Sequence, residues 1–250
     1  MTGPVLDVSD VVVRFGGLTA VDGLTFTLHP GEVLGVIGPN GAGKTTMVDV
    51  ITGVCRPRSG SVRLGEQDVT GWAPHRRALA GLSRSFQTVG LAPGLSAREN
   101  VLGALEALER VRSPFPRRAA VRRRQEEVDR LLDTFGLLDE ADFSVTELPL
   151  GTVKRVELAK VFAGRPRVVL LDEPFAGLSR AEARDRASLI TRQAADTGAA
   201  VLIVEHDVPL LMNTVHTLLV LEQGRRIALG PPGSVMSDPA VRAAYLGDAA

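Results

Sequence analysis

A glycine-rich run over residues 38–46 constrains this chain more than any other feature of its sequence. It fits the pattern G-x-x-x-x-G-K-[ST], in which backbone N–H groups surround the phosphates of a nucleotide. An apolar run at 33–37 precedes it, and residues 43–52 follow with a helical pattern, so the loop has the required context of strand, turn and helix. The run consists of Gly38, Pro39, Asn40, Gly41, Ala42, Gly43, Lys44, Thr45 and Thr46.

The residue types in this loop predict how a nucleoside triphosphate is held. The amides of residues 41–45 point inward, and the helix that follows presents its positive end. Lys44 reaches the β- and γ-phosphates, Thr45 offers its hydroxyl to Mg²⁺, and Thr46 lies near the α-phosphate.

Two carboxylates that follow a buried-type strand form the second strong motif. The strand is Val168–Leu171, and Asp172 and Glu173 come directly after it. Ligands of open α/β sheets bind at the carboxyl ends of the strands. Asp172 is therefore a candidate ligand of Mg²⁺, directly or through water, and Glu173 is a candidate to orient or deprotonate an attacking water.

Composition narrows the class of protein. The chain has 250 residues, 44% of them hydrophobic, and a formal net charge of zero, which argues against a general nucleic-acid binder. With one cysteine, no disulfide can form within the chain. We see no signal peptide and no apolar run long enough to span a membrane, so we expect any membrane role to depend on a partner.

The order of predicted elements indicates a largely parallel sheet covered by helices. The expected strands are 5–13, 24–28, 33–37, 168–171, 201–204 and 217–221. Helical patterns cover 43–52 and 180–196, and three more cover 97–109, 119–135 and 151–163. We interpret the stretch from about 89 to 163 as a helical subdomain inserted into an α/β core.

Taken in this order, the motifs resemble the ATP-binding cassette (ABC) ATPases over nearly the whole chain. The resemblance implies an α/β fold: a P-loop NTPase core with an antiparallel β subdomain and an inserted helical subdomain. It implies one ABC ATPase domain over 1–250, in which 1–88 and 164–250 form the nucleotide-binding core and about 89–163 the helical signature subdomain. The implied activity is ATP hydrolysis coupled to transmembrane transport.

The resemblance also assigns roles to single residues. Phe15 matches an aromatic that stacks on adenine, and Gln87 a glutamine that joins core and helical subdomain and senses Mg²⁺ and the attacking water. His206 matches a switch histidine that contacts the γ-phosphate. Without the resemblance, Phe15 reads as core packing, Gln87 as a surface loop residue and His206 as a helix cap. The matching loop that reaches the partner subunit consists of Gly177, Leu178 and Ser179.

The stretch that matches the family signature departs from its usual Leu-Ser-Gly-Gly-Gln. In the family, this segment faces ATP bound on an opposite subunit, but Pro149 has neither a hydroxyl nor an N–H to offer. The missing charge-assisted hydrogen bond is worth about 1.5–3 kcal/mol, although proline suits a helix start. We expect the chain to hydrolyse its own ATP in a heterodimer and to support the partner's site poorly. The stretch consists of Leu148, Pro149, Leu150, Gly151 and Thr152.

Four segments resemble one subgroup, the ATPases of importers for branched-chain amino acids, amides and urea. They lie at 14–21, 83–87, 204–207 and 244–247. The resemblance implies ATP and Mg²⁺ as cofactors, permease subunits and a second ABC ATPase as partners, an indirect link to a solute-binding protein, and a peripheral place at the cytoplasmic face of the membrane. Alternatives are a lipopolysaccharide-export-type ATPase, a nucleotide-binding regulatory subunit with weak hydrolysis, and a homodimer.

Overall fold

The computed structural model describes residues 3–85, 90–112 and 118–246. Within them the chain forms ten strands: β1 (Leu6–Phe15), β2 (Leu18–Leu28), β3 (Val33–Ile37), β4 (Ser59–Leu64), β5 (Gln67–Asp68), β6 (Leu82–Arg84), β7 (Val168–Asp172), β8 (Ala200–Val204), β9 (Thr217–Glu222) and β10 (Arg225–Gly230). The helices are α1 (Lys44–Thr52), α2 (Pro74–Leu79), α3 (Ala97–Arg112), α4 (Arg118–Thr134), α5 (Leu150–Phe162), α6 (Arg180–Thr197), α7 (Val208–Met212), α8 (Pro232–Ser237) and α9 (Pro239–Leu246).

The strands form two sheets. Six of them lie in the order β10-β9-β3-β8-β7-β6, parallel throughout except that β10 runs antiparallel to β9. The other sheet is antiparallel, in the order β2-β1-β4-β5. The central strand β3 is buried at every position, as expected for a parallel strand covered on both faces.

The six-stranded sheet separates two hydrophobic cores, because successive side chains of a strand point to opposite faces. In β3, Val33 and Ile37 join the core that also holds residues of α3, α4, α5 and α6. Leu34 and Val36 join the second core, which is built with β1, β2 and α1. The helix that follows the glycine-rich loop therefore packs between the two sheets.

A buried arginine fastens the far end of α1. The last carbonyl groups of a helix have no partner within it. Arg77 is fully buried and its Nη1 donates to the carbonyl oxygens of Val50 at 2.6 Å and Ile51 at 2.8 Å. The same guanidinium donates to the carbonyl oxygens of Thr70 and Trp72. Arg77 thus ties α1 to the segment that leads into α2.

The predicted fold class is confirmed, with corrections to its elements. The strand expected at 24–28 begins already at Leu18, because the residues before it pair with β1. The sequence reasoning missed β4, β5, β6, β10, α2, α7, α8 and α9. Helices α3, α4 and α5 lie close to the three ranges expected for the helical insertion, and the division into subdomains stays a prediction. Among the described residues, no helix has the length and apolar character needed to cross a membrane.

Candidate functional site

Three loops meet at the carboxyl edge of the parallel sheet. They follow β3, β7 and β8, which are neighbours in the order β3-β8-β7. These loops carry the predicted phosphate-binding residues, the two carboxylates and the histidine. Chain topology therefore brings together residues that are more than 160 positions apart in the sequence, at the edge where α/β proteins bind ligands.

The first loop depends on glycine backbone conformations. Gly41 has φ 79° and Gly43 has φ 98°, values that side chains other than glycine rarely adopt. A Cβ atom on Gly43 would also overlap the carbonyl oxygen of Ala20, whereas nothing lies within 4 Å of a Cβ on Gly41. The loop is thus bent tightly against β2 at Gly43 and open at Gly41.

The start of α1 fits a bound phosphate. The helix begins at Lys44, its N-cap is Gly43, and neither a capping side chain nor an acidic residue of the first turn satisfies its amides. The first N–H groups of a helix have no acceptor within it and carry partial positive charge. A phosphate would supply the missing acceptors. Asn40 and Thr45 are exposed at this edge, and Thr46 is half-buried.

The side chain of Lys44 folds back onto the glycine-rich loop that precedes α1. Its buried Nζ donates to the carbonyl oxygen of Gly38 at 2.6 Å and to that of Pro39 at 3.0 Å. Burial lowers the pKa of Lys44, and the charges of Glu173 and Asp172 oppose that shift. The lysine therefore lies in the electrostatic field of the two carboxylates.

Asp172 ends β7 as a buried carboxylate. Its Oδ2 lies 3.5 Å from Nη2 of Arg84, whose Nη1 contacts Asp49 of α1 at 2.9 Å. Burial raises the pKa of Asp172, and the positive charge of Arg84 opposes the increase. Its backbone N–H donates to the Ser85 hydroxyl at 3.1 Å. Asp172 is thus held by Arg84 of β6 and by Ser85 directly after it, and Arg84 is in turn paired with α1.

The oxygen ligands at this edge fit a magnesium ion bound with a nucleotide. Mg²⁺ is usually held by one or two protein oxygens together with substrate phosphates and water. Thr45 and Asp172 offer a hydroxyl and a carboxylate. No cluster of three or more His, Cys, Asp or Glu side chains that could hold a metal ion occurs within the described part of the chain.

Glu173 and His206 form a pair across two loops. Glu173 Oε1 lies 2.9 Å from Nε2 of His206. The backbone of Glu173 has φ 49°, an unusual value for a residue with a side chain, and its N–H donates to the carbonyl oxygen of Val204. Both side chains are partly exposed, 32% for Glu173 and 51% for His206, so a ligand at this edge can reach them.

Sequence reasoning missed the role of Glu205. This buried carboxylate accepts the N–H of Phe175 and the N–H of His206, each at 2.9 Å. The available signal was an acidic residue placed directly after the apolar strand 200–204. Arg84 and Ser85 were also not assigned roles, although both contact Asp172.

The signature stretch lies at the start of α5, beside the loop that follows β7. Pro149 is the N-cap of that helix and Leu150 is 51% exposed. A Cβ on Gly151 would lie 2.5 Å from Oε1 of Glu182. Glu182 forms a capping box with Ser179 at the start of α6. The structure thus places the signature against the segment 177–179, so the two regions predicted to face a partner are adjacent.

Two further details concern the signature and its neighbour. The side chain of Thr152 is buried, and its hydroxyl accepts a hydrogen bond from Arg155 at 3.2 Å. Leu148 and Leu178 are partly buried against the core. Within the described residues, no hydrogen bond or ion pair joins 148–152 to 38–46.

Two remaining candidates differ in what the structure says of them. Phe15 ends β1 and is 55% exposed, so its ring is not part of the core. Gln87 lies outside the described residues, and its predicted role stays a prediction.

Comparison with known sequence families gives two matches. Residues 21–176 match the family described as "ABC transporter". Residues 225–250 match the family described as "Branched-chain amino acid ATP-binding cassette transporter". The first match covers the phosphate loop, the signature stretch and both carboxylates.

Individual proteins agree with the family match. The high-affinity branched-chain amino acid transport ATP-binding protein BraF of Pseudomonas aeruginosa is 36% identical over 258 residues, which cover 100% of each chain. The lipopolysaccharide export system ATP-binding protein LptB of Acidithiobacillus ferridurans is 37% identical over 218 residues, with 87% of this chain and 86% of LptB covered.

A solved structure shares the whole architecture. It is a nucleotide-free ATP-binding cassette from an ABC transporter, with a TM-score of 0.84 and 28% identity, and the match covers 98% of this chain and 100% of the other. The loop cluster, the fold and the sequence matches agree: the chain belongs to the ABC transporter family, as an ATP-binding subunit with ATPase activity.

Proposed function

We propose that this chain binds ATP with Mg²⁺ at residues 38–46 and hydrolyses it to drive an importer of branched-chain amino acids or related amides. The observation that carries the hydrolytic role is the contact of Glu173 with His206 at the carboxyl edge of the sheet. A chain that only binds nucleotide has no need of a carboxylate and an imidazole that meet beside its phosphate loop. Retention of both residues favours turnover over a purely regulatory role.

Each candidate site residue has a role in this proposal. The amides at the start of α1 and the Lys44 ammonium bind the phosphates, and Phe15 stacks on the adenine. Thr45 and Asp172 hold Mg²⁺, which supplies charge neutralisation on the phosphate oxygens. Gln87 is proposed to respond to Mg²⁺ and to the attacking water.

The chemical step is the attack of water on the γ-phosphorus. A bond forms between the water oxygen and phosphorus, and the bond from phosphorus to the β–γ bridging oxygen breaks, which leaves ADP and inorganic phosphate. Glu173 orients the water and accepts its proton. His206, whose Nε2 contacts Glu173, is placed to contact the γ-phosphate.

The solute class rests on relatives rather than on the site. BraF, which is named for branched-chain amino acid transport, matches this chain over its full length, and the C-terminal residues match a family of the same description. LptB is similar over a smaller share of the chain, so lipopolysaccharide export is the less supported alternative. Amino-acid selection itself belongs to other subunits in this proposal.

A groove supports the proposal of permease partners at the cytoplasmic face of the membrane. It has a volume of about 840 Å³ and lies between α2 and β6 on one side and α3 and α5 on the other. Its apolar lining suits a helix from a permease. The lining includes Val54, Ala78, Leu82, Ala104, Leu108 and Val161.

We further propose that the working unit is a heterodimer of two ATPase subunits. Residues 148–152 and 177–179 are adjacent, and Leu150 is largely exposed, as expected for a face that meets a partner. ATP would join the two subunits across this face, and loss of the γ-phosphate would release them. Because the signature here is altered, a homodimer would carry the defect at both sites.

The test is Glu173→Gln in the transporter reconstituted with its permeases and partner ATPase. We expect phosphate release to fall by more than tenfold while ATP affinity changes little, because glutamine fills the same volume but accepts no proton. Stimulation by a binding protein loaded with leucine tests the solute class. Unchanged turnover would overturn the hydrolytic role, and ATP-dependent association without phosphate release in the wild type would favour a regulator.

A further inference from the structure

Glu205 is a buried carboxylate at the edge of the site. It directly follows β8 and is 5% exposed. Acidic side chains are rarely buried to this extent unless they are paired or hydrogen-bonded. The proposed hydrolysis gives it no part, so its burial requires an explanation.

The Glu205 side chain joins two loops that carry the reacting groups. Its Oε1 accepts the backbone N–H of Phe175 and its Oε2 accepts the backbone N–H of His206, both at 2.9 Å. Its own N–H donates to the carbonyl oxygen of Val36 at 3.3 Å. One residue therefore links the ends of β3, β7 and β8.

A buried arginine lies in the electrostatic field of this carboxylate, although its ion pair is with Glu157, 3.9 Å away. Arg186 of α6 is 3% exposed, and burial lowers its pKa to about 10, while the charges of Glu157 and Glu205 oppose that decrease. Nη1 of Arg186 also donates to the carbonyl oxygen of Lys154 in α5. Both oxygens of Glu205 accept backbone N–H groups, and Arg186 lies within reach of its charge.

We propose that Glu205 is a positioning residue for ATP hydrolysis, which holds the Glu173 and His206 loops in register by accepting one N–H from each. The inference rests on the proposed roles of Glu173 and His206. Glu173 sits in a left-handed conformation, which costs about 1–2 kcal/mol, so the turn needs support from both sides. Its N–H is held by Val204, and two residues later the N–H of Phe175 is held by Glu205.

Glu205→Gln is the primary test, in the full chain reconstituted with its partners. Glutamine keeps the volume but has one carbonyl oxygen for two N–H donors, and its amide group repels the other donor. We expect kcat for ATP hydrolysis to fall about tenfold with KM for ATP changed less than twofold, since the phosphate-binding loop is untouched. Hydrogen exchange at the amides of Phe175 and His206 should accelerate in the same variant.

Glu205→Asp is a second variant, which keeps the proposal testable if Glu205→Gln fails to fold. Aspartate keeps the negative charge, but it is one methylene shorter and cannot span both amides. We expect it to fold and to show the same selective loss of kcat. Glu32→Gln is the matched control, because Glu32 also joins two segments, at the opposite end of β3, where its oxygens accept from His29 N–H and the Thr217 hydroxyl. It should leave kcat unchanged.

The outcomes separate this inference from the proposed function. Wild-type kcat in both Glu205 variants, with hydrolysis lost in Glu173→Gln, would overturn the positioning role and leave the hydrolytic site intact. Normal turnover in Glu173→Gln would instead overturn the proposed function. A rise in KM equal to the fall in kcat would assign Glu205 to nucleotide binding, against the proposal.

Discussion

Single residues of the phosphate loop have different tolerances for change. Gly41 and Gly43 both occupy the left-handed region, yet only Gly43 packs against the backbone of β2. The sequence pattern requires glycine at 43 and leaves 41 open, and it does not say why. In the structure, Gly41 requires only its backbone conformation, whereas Gly43 also requires the absence of a side chain.

We predict that Gly43→Ala destabilises the nucleotide-free chain more than Gly41→Ala does. Each substitution costs about 1–2 kcal/mol for the left-handed conformation. At Gly43 the new methyl group also overlaps the carbonyl oxygen of Ala20, so β2 or α1 must shift. Urea unfolding of the two variants measures the difference, and equal losses would contradict it.

At this scale, sequence reasoning identified the residue types and missed their supports. Lys44, Asp172, Glu173 and His206 lie at one edge because strand ends and motif spacing restrict where such residues can lie, and their roles stay predictions. The roles of Glu205 and Arg84 were not predictable in the same way. Their partners are backbone groups or side chains in other loops, and such contacts exist only once the strands are aligned.

Helix α1 shows how an element is held at both ends by different means. No capping side chain satisfies the amides at its start, and the guanidinium of Arg77 donates to carbonyl oxygens at its end. The position of the phosphate-binding amides therefore depends on a side chain from another segment.

Elements that sequence patterns identified, such as β3 and β7, are continuous apolar runs. The missed strands β4, β5 and β6 lack such runs, and β5 and β6 have only two and three residues.

We predict that Arg77→Leu lowers the free energy of unfolding by at least about 3 kcal/mol. Leucine removes the donor of four hydrogen bonds, two of them buried and two part-buried, and each hydrogen bond to a charged group is worth about 1.5–3 kcal/mol. The control is Arg76→Leu, an exposed neighbour stacked on Trp72 that should cost at most about 1 kcal/mol. Similar urea midpoints for the two variants would refute the anchoring role.

We predict that Glu127 of α4 stabilises the chain in a pH-dependent way. A hydrogen bond from Arg130 lowers the pKa of Glu127, and Arg165 before β7 adds to this, while burial opposes it. A carboxyl group with a lowered pKa contributes stability above its unfolded pKa and loses it as pH falls through the folded pKa.

Thermal unfolding over a pH series tests this prediction. Glu127→Gln should unfold at a lower temperature than wild type at neutral pH, and the two curves should converge in acid. The control is Glu126→Gln, because Glu126 pairs with the exposed Arg122 and surface pairs contribute little. A difference that persists undiminished in acid would exclude the ion pairs as its source.

At the scale of the whole molecule, the candidate nucleotide site is assembled at one edge of the sheet, and the signature stretch lies at the start of α5. The fold class follows from alternating strand and helix patterns, and it was predicted. The adjacency of 148–152 with 177–179 was not, because it depends on how α5 packs beside α6. A single cassette of this kind presents one ATP-binding edge and one signature.

We predict that Pro149→Ser raises hydrolysis at the partner's ATP site. The experiment uses the reconstituted heterodimer with Glu173→Gln in this chain, so that the remaining phosphate release reports the partner's site. The restored hydroxyl should add one charge-assisted hydrogen bond, which corresponds to about 10–150-fold in rate. Phosphate release that stays constant would show that this signature does not limit the partner.

The position of Lys44 has a consequence for which nucleotides the chain accepts. Its ammonium group already has two acceptors in the loop, the carbonyl oxygens of Gly38 and Pro39. A phosphate must therefore compete with these two carbonyl oxygens for the ammonium group, which is not free to begin with. In the proposed site, AMP would end before the phosphates that reach Lys44 and would gain nothing from this exchange, whereas ATP would replace neutral acceptors with anionic ones. Because Lys44 has these contacts before a ligand binds, we expect nucleotide affinity to depend on the length of the phosphate chain.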